Sequence, residues 1–269
     1  MQRSHPIGIF DSGIGGLTVA SAIAQKLPHE SIIYFGDTAH FPYGDKSEAA
    51  IQAYSVKICD FLLQNHCKAI LIACNSASSA AYSLVKVYVG SKSLAINVID
   101  PVIEYCSTHL NNKNIGVIGT VQTIKSGIYE KKLNETDKNI TVKSLATKLL
   151  APMIEEGFVD NEVSRAVIYN YLSDNTLNNI DALILGCTHY PLIKNMIYEY
   201  YQGKVQLLDS AALVADHLQD ILISHNIAAS ENNIPQLKFF VSDYTTNFEE
   251  ATKLFFGQKI KLDLHKLWE

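Results

Sequence analysis

The chain has 269 residues, 48% of them apolar and 18% charged, the balance of a globular protein with a substantial core. A net charge of −5 with no basic block excludes nucleic acid as the main partner, because phosphate binding needs a concentrated Lys/Arg face. No apolar stretch reaches 18 residues, and MQRSHPIGIF runs into a strand without the apolar region of a signal peptide, so no membrane span and a cytoplasmic location are expected.

In chain order, IGIF (7–10) reads as a strand followed by a helix over about 17–26, and SIIYFG (31–36) as a strand followed by a helix over about 47–64. AILIAC (69–74) precedes a helix near 78–88, and LAINVI (94–99) precedes one near 102–110. The strand series continues with NIGVIGT (114–120), ITVKSLA (140–146), DALILGC (181–187), KVQLLD (204–209) and LKFFVS (237–242). Near-continuous Ile/Leu/Val strands separated by helices predict an α/β fold of open, mainly parallel sheets covered on both faces. In such sheets ligands bind at the carboxyl ends of the strands, where several of these runs place polar residues.

The order also repeats. IGIFDS (7–12) aligns with IGVIGT (115–120), and AILIACNS (69–76) with ALILGCTH (182–189), at offsets of 108 and 113 residues. Two similar lobes follow, the second beginning near residue 100, and the mostly helical tail from about 210 has no counterpart in the repeat. A pseudo-twofold between the lobes would bring the two strand-end cysteines, Cys74 and Cys187, to face each other across a cleft.

Five cysteines without CxxC spacing predict free thiols in a reducing compartment, with Cys59, Cys67 and Cys106 packed in the core. A thiol at a strand end, before the N-terminus of a helix, is expected to shift modestly below its usual 8.5 or so. Two such groups on opposite sides of a carbon could remove a proton from one face and return one to the other. The alternative, two inert core thiols, sits poorly with the polar flanks Asn75, Ser76, Thr188 and His189. Asp11 and Asp37 follow strands in the same lobe as Cys74, where they could serve the cysteine or a substrate amino group, or merely cap turns. Glu155, in APMIEEGF, is a candidate to work beside His189, or a solvated helix charge.

Other site types are less well supported. The glycines of DSGIGGL match neither GxGxxG nor a Walker loop, so no nucleotide is expected. Cys187 and His189 lack a second local pair for zinc, so no metal is expected. No lysine stands at a strand end beside a phosphate-binding glycine loop, so neither is PLP. The strand-end motifs hold no arginine, and Lys46 is their nearest cation. Substrate carboxylates would then rest on hydroxyls, amides and backbone N–H groups, including those after PYGDKS (42–47). From the residues alone, a two-base racemase, a cysteine hydrolase using Cys74 and a non-catalytic amino-acid binder all stay open.

Together IGIFDSGIGGLTV, YFGDTAHFPYG, ACNSAS, IGTVQTI and LGCTHYPL resemble the glutamate racemases of the cofactor-independent aspartate/glutamate racemase superfamily, over about residues 7–210. The resemblance implies a first lobe over residues 1–99, a second over 100–207, and a segment 208–269 returning to the first, with the active site in the cleft between lobes. It implies interconversion of L- and D-glutamate without PLP, metal or nucleotide, supplying D-glutamate for peptidoglycan and hence for cell wall and cell shape. It leaves a homodimer open. Cys74 and Cys187 would handle the α-proton on opposite faces, assisted by Asp11 and His189, with Asp37 and Glu155 as supporting carboxylates. Asp11, Ser12, Tyr43, Gly44, Asn75, Ser76, Thr120, Thr123, Thr188 and His189 would contact substrate. Three positions depart from the family: Ser76 replaces a usual Thr, His40 a common Arg before PYG, and Thr147-Lys148 a usual Cys-Pro. The N-terminal extension linked in some members to activation by a cell-wall precursor is not seen, so that regulation is not expected. An aspartate or hydantoin racemase is the nearest alternative, but PYG and the CNS…CTHYPL pair favour glutamate.

Overall fold

The computed structural model describes residues 2–268 apart from Asp137 and Thr245. Its strands are β1 (Ile7–Asp11), β2 (Ile32–Gly36), β3 (Ala69–Ile72), β4 (Leu94–Asn97), β5 (Asn114–Gly119), β6 (Thr141–Ala146), β7 (Ala182–Gly186), β8 (Gln206–Leu208), β9 (Leu237–Val241) and β10 (Asp263–Leu264). They form two parallel sheets, ordered β10-β9-β2-β1-β3-β4 and β6-β5-β7-β8, with helices between successive strands. This is the two-lobed α/β architecture expected from the strand pattern. β1, β2, β3 and β7 are buried at every position, as strands covered on both faces must be.

The internal repeat has a structural counterpart. Within the first sheet the run β2-β1-β3-β4 has the same order and direction as β6-β5-β7-β8. Ile7 pairs with Ala69 across β1/β3, and Ile115 pairs with Ala182 across β5/β7, the same positions that align in sequence. In each lobe the central strand is flanked on one side by the next strand and on the other by the one after. The chain therefore reverses its winding there, opening a crevice at the carboxyl ends. β7 runs directly, and β3 through Ala73, into a cysteine at that crevice.

β9 and β10 extend the first sheet beyond β2, and the helix Ser210–Ser224 packs against the helices Leu17–Lys26 and Asp100–His109. One apolar cluster runs through both lobes and includes Cys187. A second, on the other face of the first sheet, includes Cys74. The two cysteines thus rest on different parts of the core.

Helix starts depend on caps that the apolar pattern does not register. The helix expected near 78–88 spans Asn75–Val89, because the Cys74 sulfur accepts a hydrogen bond from Ala77 N at 3.4 Å and caps it. The helix expected near 102–110 spans Asp100–His109, with Pro101 in its first turn.

Candidate active site

In the first lobe, β1 delivers Asp11 and Ser12 beside the start of the Asn75–Val89 helix. Cys74 is 6% exposed and donates weakly to Ser12 Oγ at 3.7 Å. Burial, reinforced by the Asp11 carboxylate, pushes the Cys74 thiol up to about 12, against the pull of the Ala77 N–H and the Ser12 hydroxyl. This corrects the sequence expectation of a lowered thiol, since desolvation outweighs the helix terminus. Burial likewise raises the Asp11 carboxyl, while His189 and the backbone N–H groups of Gly13 and Gly16 oppose it. Asp11 Oδ2 accepts from Gly13 N at 3.0 Å, and Oδ1 is buried without a partner among the described residues.

In the second lobe, β7 ends at Gly186 and delivers Cys187, Thr188 and His189. His189 Nδ1 lies 3.5 Å from Cys187 Sγ, and Nε2 lies 2.7 Å from Glu155 Oε1. Burial alone would lower the imidazole. The Cys187 sulfur and the Glu155 carboxylate, each accepting one ring N–H, reverse this and hold it at about 10. Near neutral pH a cation therefore stands beside the Cys187 sulfur, where Cys74 has a carboxylate.

Polar contacts join the lobes around the two sulfurs. Ser76 Oγ shares a 2.8 Å hydrogen bond with Thr120 Oγ1 and lies 3.4 Å from Thr123 Oγ1. Tyr129 donates to Asn75 Oδ1 at 2.7 Å, the buried Asn75 Nδ2 has no partner among the described residues, and Thr18 donates to the Thr188 carbonyl at 3.1 Å. A Cβ on Gly15 would fall 2.7 Å from Thr188 Oγ1 and closer still to the edge of the His189 ring, at Cε1 and Nδ1. In DSGIGGL, Gly15 thus serves close approach between lobes rather than an anion cradle.

Cys74 and Cys187 open onto one cavity of about 20 Å³, room for roughly one water. Of the other residues selected from sequence, Ser12, Tyr43, Gly44, Asn75, Ser76, Thr120, Thr188 and His189 also line it. Asp11, Asp37, Thr123 and Glu155 do not. Thr123 sits behind the Ser76–Thr120 pair, Glu155 behind His189, and Asp37 behind Tyr43, whose hydroxyl donates to it at 2.6 Å. Burial, with the Asp37 charge next, raises the Tyr43 hydroxyl far beyond its usual range.

Sequence reading missed Phe41, Pro42, Ala151 and Gly186, which complete the cavity wall, and Tyr129, which orients Asn75. Phe41 and Pro42 lie within the quoted YFGDTAHFPYG, but apolar side chains announce no chemistry. Tyr129 carries no local signal, since its partner is 54 residues away. Among the described residues no group of three or more His, Cys, Asp or Glu side chains is placed to hold a metal, and no helix is long and apolar enough to cross a membrane.

The model of the Asp/Glu/Hydantoin racemase family matches residues 17–218. A glutamate racemase of Neisseria meningitidis serogroup A is 38% identical over 259 residues, covering 96% of this chain and 95% of the relative. That of Sulfurihydrogenibium is 40% identical over 262 residues, covering 96% and 97%. Among solved structures, glutamate racemase from Francisella tularensis in complex with D-glutamate superposes with a TM-score of 0.91 at 36% identity over 99% of both chains.

Proposed function

This chain belongs to the Asp/Glu/Hydantoin racemase family and is an isomerase, an amino-acid racemase; on that premise we propose that it interconverts L- and D-glutamate, with Cys74 and Cys187 as opposed acid and base. The observation that carries this reading is the placement of both sulfurs on one cavity, from equivalent strand ends of two lobes, with opposite charges behind them. Glutamate as substrate draws support from relatives of that name over nearly the full chain and from the D-glutamate held by the Francisella enzyme.

In one direction of the reaction Cys74 carries the proton to be given and Cys187, beside the His189 cation, is the acceptor. Cys187 takes the α-proton, and the C–H electron pair stays on carbon, delocalised into the adjoining carboxylate. Cys74 gives its S–H proton to the opposite face, inverting the centre. The product leaves with Cys187 a thiol and Cys74 a thiolate, the state needed for the reverse reaction. The α-proton is very weakly acidic, so the carbanion must form among fixed dipoles with water excluded. Asn75 Nδ2, the hydroxyls of Ser12, Ser76, Thr120 and Thr188, and the backbone N–H groups opening the Asn75–Val89 helix supply them. A cavity of about 20 Å³ holds no amino acid, so the lobes part to admit substrate.

No cofactor is needed in this scheme, and chelation by EDTA is expected to leave the rate unchanged. The proposed setting is the cytoplasm, where free thiols stay reduced, and the D-glutamate made there serves peptidoglycan synthesis. Proton NMR with L-glutamate in D₂O, paired with polarimetry, tests the reading. Loss of the α-proton signal while optical rotation decays to zero is expected. If neither changes with glutamate but both change with L-aspartate, the substrate assignment is wrong. If both amino acids are inert, so is the racemase mechanism.

A further inference from the structure

One wall of the cavity, Phe41 to Gly44, comes from the loop that follows β2. That loop is anchored on Asp37, which is fully buried. A buried carboxylate keeps its place only while donors satisfy it. Tyr43 supplies one from within the loop, at 2.6 Å to Oδ2, and His40 Nδ1 another at 3.0 Å. Two more come from far along the chain: Ser242 Oγ at 2.7 Å and Trp268 Nε1 at 2.8 Å, both to Oδ1.

Trp268 touches the loop a second time through its ring. It meets His40 edge-on at 4.5 Å between centroids and Tyr54 at 5.3 Å, while His40 stacks on Tyr54 at 4.0 Å. His40 is thus held in an aromatic box that the indole closes. Trp268 itself does not reach the cavity.

We propose that Trp268 is a positioning residue for the substrate-contact loop, setting Tyr43 and Gly44 through the Asp37 carboxylate and the His40 ring. The inference rests on the glutamate reading of the site. The loop supplies contacts to the substrate but neither sulfur, so loosening it weakens substrate binding before it slows proton transfer.

The test is steady-state racemisation of glutamate by Trp268→Phe, which keeps a ring but loses the N–H, and by Trp268→Ala, which loses both. KM is expected to rise about threefold and about tenfold respectively with kcat within about twofold, the signature of lost uniform binding. In a Tyr43→Phe background, where the direct Asp37–Tyr43 link is already cut, Trp268→Phe should add less than about 1.5-fold to KM. A lowered melting temperature with KM unchanged in both variants would show a merely structural tryptophan, and full additivity with Tyr43→Phe would show that it does not act through Asp37. Either result overturns the proposal while leaving the glutamate reading intact. Absence of racemisation by the unaltered chain would overturn both.

Discussion

The two halves of the site share a scaffold and differ in charge. β1/β3 and β5/β7 have the same topology and equivalent registers, and each pair ends on a cysteine that opens onto the cavity. Behind Cys74 stands the Asp11 carboxylate, which with burial keeps that sulfur protonated. Next to Cys187 stands an imidazolium, held charged by that sulfur and by Glu155 behind it. A symmetric fold thus carries an asymmetric electrostatic load. Two identical environments would favour two thiols or two thiolates, and neither state can move a proton in on one side and out on the other.

The strongest way to break this comparison is to remove either sulfur. Cys74→Ser and Cys187→Ser should each cut racemisation by about 10²–10⁴, the usual contribution of an acid or base. One-sided α-proton exchange should persist, readable as deuterium uptake without loss of optical rotation. Full activity in either variant would refute the two-base scheme.

Removing the cation comes next. His189→Asn should lower kcat by about 10²-fold, more in the direction that uses Cys187 as base, and separate assays from L- and D-glutamate would reveal that bias. Glu155→Gln should act more mildly, through pH. The His189 ring is raised from its ordinary 6.5 to about 10, so its stabilising contribution is complete below 6.5 and is lost as pH rises through 10. Without the Glu155 carboxylate that alkaline loss should begin at lower pH, in both the melting temperature and the rate from the Cys187 side. An unmoved profile would mean that Glu155 does not hold the ring charged.

The smallest effect tests the seam rather than either half. Tyr129→Phe removes the donor that orients Asn75 across the lobes and should cost about 1–3 kcal/mol of stability, because it leaves a buried acceptor unpaired. It should raise KM several-fold, and, added to Asn75→Ala, it should raise KM no further. Additive effects would indicate that Tyr129 acts elsewhere.

Much of this was legible in the sequence, for local reasons. Apolar runs identified β1 through β9, and their polar stops pointed to eight of the cavity residues, because side chains just beyond a parallel strand project into the crevice; Tyr43 and Gly44 came only from the family resemblance. The two-residue β10 is too short to leave a pattern. Asp37 and Glu155 were recognised as carboxylates of interest, but their places behind Tyr43 and His189 were not, because a charge in sequence carries no direction. The start of the Asn75–Val89 helix was missed because a cysteine is not an ordinary cap.

Sequence alone determined the strand periodicity, the repeat and the pair of strand-end cysteines, all consequences of side-chain pattern over a few neighbouring positions. Tertiary structure decided the raised Cys74 thiol, the charge on His189 and the anchoring of the 41–44 loop on Asp37. Glu155 reaches His189 from 34 residues away, and Trp268 reaches Asp37 from 231. Burial and charge act through space over a few ångströms, so the partners that set them are chosen by the packing of distant segments.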